Sequence, residues 1–218
     1  KFIYASSAAT YGDGEFGYSD QEEHMHRLRP LNMYGYSKHL FDLWMLKNKL
    51  LNEATGIKFF NVFGPNEYHK GEMMSVVCKK FLEVRDKGRI GLFKSYRDDF
   101  GDGEQKRDFI YVGDVVEAFC ASIEKCLSFD SGLYEYEIGT GKSHSIKDFI
   151  CLVKSIVNND VTKLRFGALS YREKEVMDSF ADIEKISRDI GWSPLNTLEE
   201  GLKKTINWYK NNPDKLKL

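Results

Sequence analysis

The sequence predicts an α/β fold, a parallel sheet covered by helices. Two observations favour it. Short apolar runs at 2–5 and 57–62 flank a segment of helical period at 34–49, which is the order of a β-α-β unit. Hydrophobic residues also make up 42% of the 218 residues, enough to bury one or two sizeable cores. We therefore expect an ordinary globular protein, neither disordered nor fibrous.

Four further helices are predicted from apolar residues that recur every three or four positions. The first covers 72–87 and is followed by Gly88. The other three begin at Asp114, Ser145 and Thr197. Asp114 and Thr197 each precede a glutamate by three residues, the spacing of a capping box. Between 92 and 109 the chain is charged and rich in glycine, which predicts a long surface loop.

Charge, hydropathy and cysteine usage exclude several kinds of partner. Lys and Arg number 32 and Asp and Glu 33, so a net charge of -1 recruits neither nucleic acid nor an anionic membrane. No apolar run approaches the roughly 20 residues that span a bilayer. The cysteines follow no disulfide or zinc spacing and predict reduced core thiols in a cytosolic protein: Cys78, Cys120, Cys126 and Cys151. His24 and His26 have metal-like spacing without a third ligand, so we expect no metal site.

Two glycine motifs imitate phosphate-binding loops, and both are better interpreted as turns. The run from Gly12 to Gly17 spells G-x-G-x-x-G after an apolar strand, but no helical pattern follows it and its two acids would repel a phosphate. Lys142 and Ser143 imitate the end of a P-loop, yet the first glycine of such a loop would fall on Tyr136.

The strongest chemical signal is a tyrosine followed four residues later by a lysine, Tyr34 and Lys38, at the start of a predicted helix. The two share a helix face, and an ammonium beside a phenol favours the phenolate, which can serve as a base. This pattern alone is common. Here it follows Ser7 at a predicted strand end, where a hydroxyl can point into the cleft beyond the sheet. On other faces of the helix, Tyr36 is expected to be packed and His39 to be exposed.

Six runs, in order along the whole chain, carry a family resemblance. They are A-S-S-A-A-T-Y-G from Ala5, Y-G-Y-S-K from Tyr34, N-V-F-G-P from Asn61, R-D-F-I-Y-V-G-D-V from Arg107, I-G-T-G-K from Ile138 and G-W-S-P from Gly191. The sequence resembles the extended short-chain dehydrogenase/reductase family, NAD(P)-dependent enzymes that modify nucleotide sugars. The resemblance implies a partial Rossmann-type doubly wound parallel sheet with a smaller C-terminal α/β substrate lobe.

The resemblance also implies a domain division. Residues 1–65 would be the C-terminal part of the NAD(P)-binding domain, and 66–218 mainly a substrate-binding lobe that returns to the first sheet near 107–150. The chain opens on a strand, whereas a dinucleotide fold begins with a strand, a Gly-rich turn and a helix. We therefore expect a fragment lacking about 100 residues of the cofactor half. Alone, it should be poorly soluble and bind NADP weakly.

Within the family, the run N-E-Y-H-K-G from Asn66 resembles the branch that epimerises a nucleotide-linked heptose. That likeness implies transient oxidation and re-reduction of one carbon with bound NADP, NAD being possible. It places one acid/base on each side of that carbon, Tyr34 and Lys70, and Ser7 on the reacting oxygen. The alternative for Lys70 is a solvated loop lysine.

Binding roles follow from the same resemblance. Lys38, Val62 and Lys70 are implied to contact the cofactor. The residues implied to contact the nucleotide sugar are Ser7, Asn61, Glu72, Lys79, Phe93, Lys94, Ser95, Tyr96 and Arg107.

Some of these positions carry alternatives. Arg107 would pair with the diphosphate, and otherwise would form a salt bridge to Asp108 or Asp114. Glu72 and Lys79 occupy positions at which the family contacts its substrate, but their residue types differ from those of the family. Where the family has a contacting tyrosine this chain has Glu175, and Tyr171 could replace it only with a shift of the loop.

Two other functions stay open at the level of the sequence. One is a 4-epimerase or dehydratase of the same family acting on another nucleotide sugar, for which Lys70 would be dispensable. The other is a truncated, non-catalytic module that binds a nucleotide sugar or a partner protein. The family usually assembles into homo-oligomers, and the resemblance implies the same here.

Overall fold

The computed structural model describes residues 2–50, 54–128, 135–170 and 176–213. Its strands are β1 (Phe2–Ser7), β2 (Ala54–Phe59), β3 (Asn61–Phe63), β4 (Arg89–Phe93), β5 (Lys106–Arg107), β6 (Phe109–Tyr111), β7 (Glu135–Ile138), β8 (His144–Ser145) and β9 (Lys163–Leu169). Its α-helices are α1 (Met33–Lys47), α2 (Val76–Asp86), α3 (Val112–Ser128), α4 (Ile146–Val157), α5 (Glu184–Ile190) and α6 (Leu198–Asn211). Tyr171 and Glu175 lie outside the described residues.

The first β-α-β unit builds a parallel sheet, as predicted. β1, β2 and β7 lie side by side in that order, with Ser7 opposite Phe59 and Phe59 opposite Ile138. α1 lies between β1 and β2 in the chain and contacts β1. Two further parallel pairs, β3 with β6 and β4 with β9, complete an α/β fold, and β5 pairs antiparallel with β8.

The apolar run at 57–62 belongs to two strands rather than the one predicted. β2 pairs with β1 and β7, whereas β3 leaves that sheet and pairs with β6. At the break, the N–H of Phe60 donates to the carbonyl of Ile138 and the N–H of Asn61 donates to the carbonyl of Asp108. The end of β2 and the start of β3 therefore lie at the boundary between two sheets.

Two helices begin where the sequence predicts. Ser145 precedes α4, and its Oγ accepts a hydrogen bond from the N–H of Asp148 at 2.9 Å. Thr197 precedes α6, where Thr197 and Glu200 satisfy each other's backbone N–H groups in a capping box. Side-chain caps are local contacts, which is why sequence spacing locates them.

The predicted start of α2 is wrong by about one turn. The helix begins after Ser75, whose Oγ accepts from the N–H of Cys78 at 3.2 Å. The residues before it form a 3-10 turn, Tyr68–Met73, in which Gly71 has a positive φ of 52°. A helix cannot run through that conformation, so the turn and α2 are separate elements.

Asp114 does not cap α3, because the helix begins two residues earlier at Val112. Its carboxylate instead accepts from the backbone N–H groups of Leu195 and Asn196, at 3.3 and 3.2 Å. The acid therefore joins the start of α3 to the segment before α6, a contact that sequence spacing cannot indicate.

The irregular stretch is shorter than the predicted 92–109. β4 continues through Phe93 and β5 begins at Lys106, which leaves 94–105 as loop. Gly103 and Gln105 of this loop are buried, so only part of it is surface.

Among the three cysteines whose side chains the structure describes, only Cys78 fits the expectation of core thiols. Cys78 is buried in α2, whereas Cys120 and Cys151 are exposed on α3 and α4. The side chain of Cys126 lies outside the described part. Helical periodicity places cysteines on helices, but which face is covered depends on the packing of the helices.

Two apolar cores support the fold. The larger lies among α2, β4, α4 and α6, and its fully buried residues include Cys78, Val84, Phe149, Ile150, Val153, Leu202, Ile206 and Tyr209. The second joins the first sheet to α3 and α5 through Ile57, Ile110, Ala118, Tyr136, Ile138 and Ile186. Of the helices that the structure describes, none is long and apolar enough to cross a membrane.

Removing the α6 cap should destabilise the larger core. Thr197→Ala deletes the Oγ that accepts from Glu200, and we expect a loss of about 1 kcal/mol in the free energy of unfolding. Urea unfolding followed by circular dichroism measures the change. The exposed Lys203→Ala on the same helix is the control and should lie within about 0.5 kcal/mol of the parent. Equal stability of the two variants would contradict this role of the cap.

Candidate active site

A cavity of about 180 Å³ lies where β1 and β2 end and β3 begins. It is lined by Ser7, Ala8, Ala9, Gly12, Tyr18, Leu31, Asn32, Phe59, Phe60, Asn61, Arg107, Val176 and Ser179. The carboxyl ends of parallel strands are the usual ligand-binding edge of an open α/β sheet. Three residues implied by the resemblance, Ser7, Asn61 and Arg107, meet there although 100 residues separate the first from the last.

Ser7 occupies the last position of β1 and is held by the turn that follows. Its Oγ accepts from the N–H of Ala9 at 3.2 Å, and its carbonyl accepts from Thr10 Oγ1 at 2.9 Å. A hydroxyl that accepts one hydrogen bond keeps its own proton to donate. Ser7 can therefore polarise an oxygen placed in the cavity.

The first turn of α1 lies directly against the turn that follows β1. Asn32 caps the helix, its Oδ1 accepting from the N–H of Gly35 at 2.9 Å. A Cβ on Gly35 would lie 2.6 Å from the carbonyl oxygen of Ala9. The glycine therefore permits an approach that any side chain would prevent, which brings the helix start next to Ser7.

Lys38 connects α1 to β1. Its Nζ donates to the carbonyl of Ala5 at 3.0 Å. Tyr34, one turn earlier, is 57% exposed, and Asn32 beside it lines the cavity. Ser7, Tyr34 and Lys38 thus lie at the same end of β1.

The faces of α1 differ from those predicted. Tyr36 is 41% exposed, whereas His39 is buried at 4% exposure, the reverse of the expectation. Burial, and then the cations Lys58 and Arg29, lower the pKa of His39 to about 4. His39 is therefore a neutral side chain under α1. The error arose because the covered face of α1 carries polar as well as apolar residues.

Asn61 and Val62 lie half-buried at the start of β3, with Asn61 in the cavity wall. Arg107 of β5 lines the opposite wall, and its Nη1 donates to the carbonyl of Lys106 at 2.7 Å. Both acids named as alternative partners accept hydrogen bonds elsewhere, Asp108 from Thr140 and Asp114 from Asn196, at 2.9 and 2.7 Å. Neither acid depends on the guanidinium for its hydrogen bonds.

Lys70 lies outside the cavity wall, in the 3-10 turn Tyr68–Met73. Its side chain is 46% exposed, and its Nζ is 3.4 Å from Glu67 Oε2. Glu67 is buried and also accepts from the N–H of Gly64 at 3.3 Å and from Ser75, whose N–H and Oγ lie at 2.9 and 2.7 Å. The buried carboxylate therefore organises the turn that carries Lys70 and pairs with its half-exposed ammonium.

The other implied substrate residues lie farther along the chain, and the cavity wall does not include them. Glu72 and Lys79 pair with each other, with Nζ 3.5 Å from Oε2. Ser95 donates its N–H to Asp102 at 2.7 Å, next to Lys94 and the exposed Tyr96, directly after Phe93. The structure does not bring these six residues to Ser7.

Tyr18 is a cavity residue that the sequence did not indicate. Its hydroxyl donates to the carbonyl of Asp178 at 2.6 Å, and burial raises its pKa to about 12. Val176 and Ser179 enter the wall beside it. Since these partners are separated by about 160 residues, no local pattern could have signalled them.

Gly12 to Gly17 form turns, as predicted, and a 3-10 turn at Glu22–Arg27 follows them. A Cβ on Gly12 would lie within 2 Å of the carbonyl oxygen of Arg29, so glycine is needed there for packing. His24 and His26 fall in the 3-10 turn. Across the described ranges, no group of three His, Cys, Asp or Glu side chains could hold a metal ion.

Buried carboxyl groups surround the sheet end. Glu137 of β7 is fully buried and accepts from the N–H of Asp182 at 2.6 Å. Burial raises the pKa of Glu137 to about 8, although the hydrogen bond from the N–H of Asp182 opposes the shift. Burial likewise raises the pKa of Asp20 to about 6, with Lys185 opposing it.

Comparison with known proteins agrees with this architecture. The model of the NAD dependent epimerase/dehydratase family matches residues 1–139. The ADP-L-glycero-D-manno-heptose-6-epimerase of Nitratidesulfovibrio vulgaris is 49% identical over 153 residues, 70% of this chain and 46% of that protein. The enzyme of the same name from Fusobacterium nucleatum is 42% identical over 225 residues, 98% of this chain and 66% of that protein.

Solved structures show the same fold. The Helicobacter pylori ADP-L-glycero-D-manno-heptose-6-epimerase matches with a TM-score of 0.75 and 26% identity, over 99% of this chain and 60% of that one. The UDP-N-acetylglucosamine 4-epimerase of Methanobrevibacter ruminantium matches with a TM-score of 0.76 and 25% identity, over 96% and 63%. The chain belongs to the NAD-dependent epimerase/dehydratase family, and it spans about half to two thirds of the length of these relatives.

The contribution of Glu137 to stability should fall as pH rises between about 4.5 and 8. In this window the folded protein keeps the proton of Glu137 that the unfolded chain loses, so each rise in pH favours unfolding. Glu137→Gln cannot ionise and should flatten this part of the profile. Thermal unfolding across the window measures the effect, with the exposed Glu199→Gln as the control. Parallel profiles for the parent and Glu137→Gln would show that Glu137 is not the responsible group.

Proposed function

We propose that this protein is a nucleotide-sugar epimerase that converts ADP-D-glycero-D-manno-heptose to ADP-L-glycero-D-manno-heptose by inverting the 6-position carbon. The product would serve lipopolysaccharide core biosynthesis in the cytoplasm. The observation that carries the proposal is the pairing of Lys70 with the buried Glu67. A second group of residues, Ser7, Tyr34 and Lys38, lies where β1 meets the start of α1. The relatives named above at 49% and 42% identity support the choice of substrate.

In the proposed inversion at the 6-position carbon, one acid/base would act on each side of the transient ketone. Tyr34 would take the hydroxyl proton on one face, and Lys38 lies one helical turn along the same face of α1. Lys70 would exchange the proton on the opposite face, where Glu67 keeps its ammonium in place. Ser7 would donate to the reacting oxygen.

The described residues fit one end of a nicotinamide cofactor. When bound, NADP or NAD would accept a hydride from the sugar and return it. The Lys38 ammonium has three donors, of which Ala5 uses one, so it can hold ribose hydroxyls. Val62 would line the nicotinamide side, and Lys70 would contact the same group. Gly12 to Gly17 lead into a 3-10 turn rather than an α-helix, so this run does not supply a diphosphate cradle.

A two-part division accounts for these roles. Residues 1–65, with 107–150 returning to the sheet, would form the cofactor side. The remainder of 66–218 would form a substrate lobe. Asn61 and Arg107 would contact the nucleotide sugar from the cavity. The six implied substrate residues that lie outside the cavity wall would contact the nucleotide sugar from the side away from Ser7: Glu72, Lys79, Phe93, Lys94, Ser95 and Tyr96. From the sequence resemblance we also propose NADP as the cofactor, NAD being possible, and assembly into a homo-oligomer.

A hexose 4-epimerase is the second candidate, because the Methanobrevibacter 4-epimerase shares the fold at 25% identity. The two candidates differ at Lys70. Inversion at a side-chain carbon that is approached from both faces requires the second acid/base. A 4-epimerase of this family would retain activity without it.

Tyr34→Phe and Lys70→Met should each lower kcat for the heptose by about 10²- to 10⁴-fold, since each removes one proton-transfer group. The protein expressed from its natural gene is assayed with ADP-heptose and NADP or NAD, and the 6-epimers are resolved by chromatography. Lys203→Met, an exposed lysine on α6, is the matched control and should keep parental activity.

Three results would decide among the candidates. Full heptose activity in Lys70→Met would remove this residue from the mechanism. Turnover of a UDP-hexose that survives Lys70→Met would identify a 4-epimerase. Binding of nucleotide sugar without turnover in the presence of cofactor would identify a non-catalytic module.

A further inference from the structure

Two neighbouring residues of β1 are held by two side chains of α1. Lys38 Nζ donates to the carbonyl of Ala5 at 3.0 Å, and Ser6 Oγ donates to Asp42 Oδ2 at 2.7 Å. Lys38 and Asp42 are four residues apart, so they lie one turn apart on the same face of α1. The strand end and the helix are therefore joined at two consecutive points.

The Ser6–Asp42 hydrogen bond is fully enclosed. Ser6 is buried and Asp42 has no exposed surface. No water competes for this bond at a closed site, so its geometry is restricted to what α1 and β1 allow together. A slip of α1 along β1 would leave a buried hydroxyl and a buried carboxyl without their partners.

Asp42 is not needed to neutralise the nearby lysine. Lys58 Nζ lies 2.8 Å from Glu135 but 3.9 Å from Asp42, and Tyr4 donates to Glu135 at 3.4 Å. Two carboxyl groups thus face one ammonium, and the closer of them is Glu135. Burial and then Glu135 raise the pKa of Asp42 to about 7, so its neutral and charged forms are both accessible near neutral pH. In both forms one oxygen can accept the hydrogen bond from Ser6.

The Ser6–Asp42 hydrogen bond joins the two elements that carry the proposed catalytic groups. Ser6 directly precedes Ser7, and Asp42 follows Tyr34 by two helical turns. α1 is the element that carries Tyr34 and Lys38, and β1 is the one that ends at Ser7. The Ser6–Asp42 bond therefore determines how these two elements lie against each other.

We propose that Asp42, through its hydrogen bond from Ser6, is a positioning residue that sets Tyr34 and Lys38 against Ser7. The proposal rests on the proposed function for its kinetic meaning, but its structural content does not depend on the substrate. The bond, rather than the negative charge, performs this role, because Lys58 lies closer to Glu135 than to Asp42.

The kinetic test compares two substitutions of the same residue. Asp42→Ala removes the acceptor and should lower kcat by about 10- to 100-fold with little change in KM, as expected for misplaced catalytic groups. Asp42→Asn keeps an acceptor oxygen and should restore most of kcat. Ser6→Ala should match Asp42→Ala, and the double variant should be no worse than either single one.

A buried serine elsewhere provides the matched control. Ser122 Oγ donates to the carbonyl of Ala118 within α3, away from the cavity. Ser122→Ala should cost stability without lowering kcat. The melting temperature of every variant is measured, so that a loss of activity can be compared with a loss of stability.

Amide hydrogen exchange tests the proposal independently of turnover. Asp42→Ala and Ser6→Ala should increase exchange in the peptides covering 5–9 and 33–38, whereas Asp42→Asn and Ser122→Ala should not. If the parent protein turns over no nucleotide sugar, the proposed function fails while this measurement still decides the positioning role. Parental kcat and parental exchange in Asp42→Ala, or equal losses in Asp42→Asn and Asp42→Ala, would overturn it.

Discussion

The close approach of α1 to the end of β1 is the contact on which the site depends. Gly35 makes it possible, because a Cβ there would lie 2.6 Å from the carbonyl oxygen of Ala9. Asn32 caps the helix at the same place, and Lys38 reaches back to Ala5. Residues separated by about 30 positions in the chain thereby meet at one strand end. Without this contact, the cavity would lose one wall and the tyrosine–lysine pair would face only solvent.

Buried carboxylates organise the loops around the site. Asp108 accepts from the backbone N–H groups of Thr140, Gly141 and Ala181. Glu67 does the same for the turn that carries Lys70. Loops cannot pair their backbone groups as strands do, so acceptors of this kind satisfy donors that would otherwise be buried without partners. The loops are consequently held in one arrangement although they lack regular structure.

Burying carboxyl groups in this way has an energetic cost. Several acids near the sheet end are buried with few compensating cations, and burial raises the pKa of Glu137 and of Asp20. A protein that retains such groups exchanges stability for geometry. The larger core, formed by α2, α4 and α6 around apolar residues, provides the stability that these groups do not supply.

The sequence by itself determined the α/β class, the starts of α4 and α6, and the helical spacing of Tyr34 and Lys38. These features depend on periodicity and on caps a few residues apart, which local sequence contains. Only the tertiary structure decided the break at Phe60 and the burial of His39. It also decided the role of Asp114. These features depend on partners that are distant in the chain. The residues that flank a position in the sequence do not show which distant segment will pack against it.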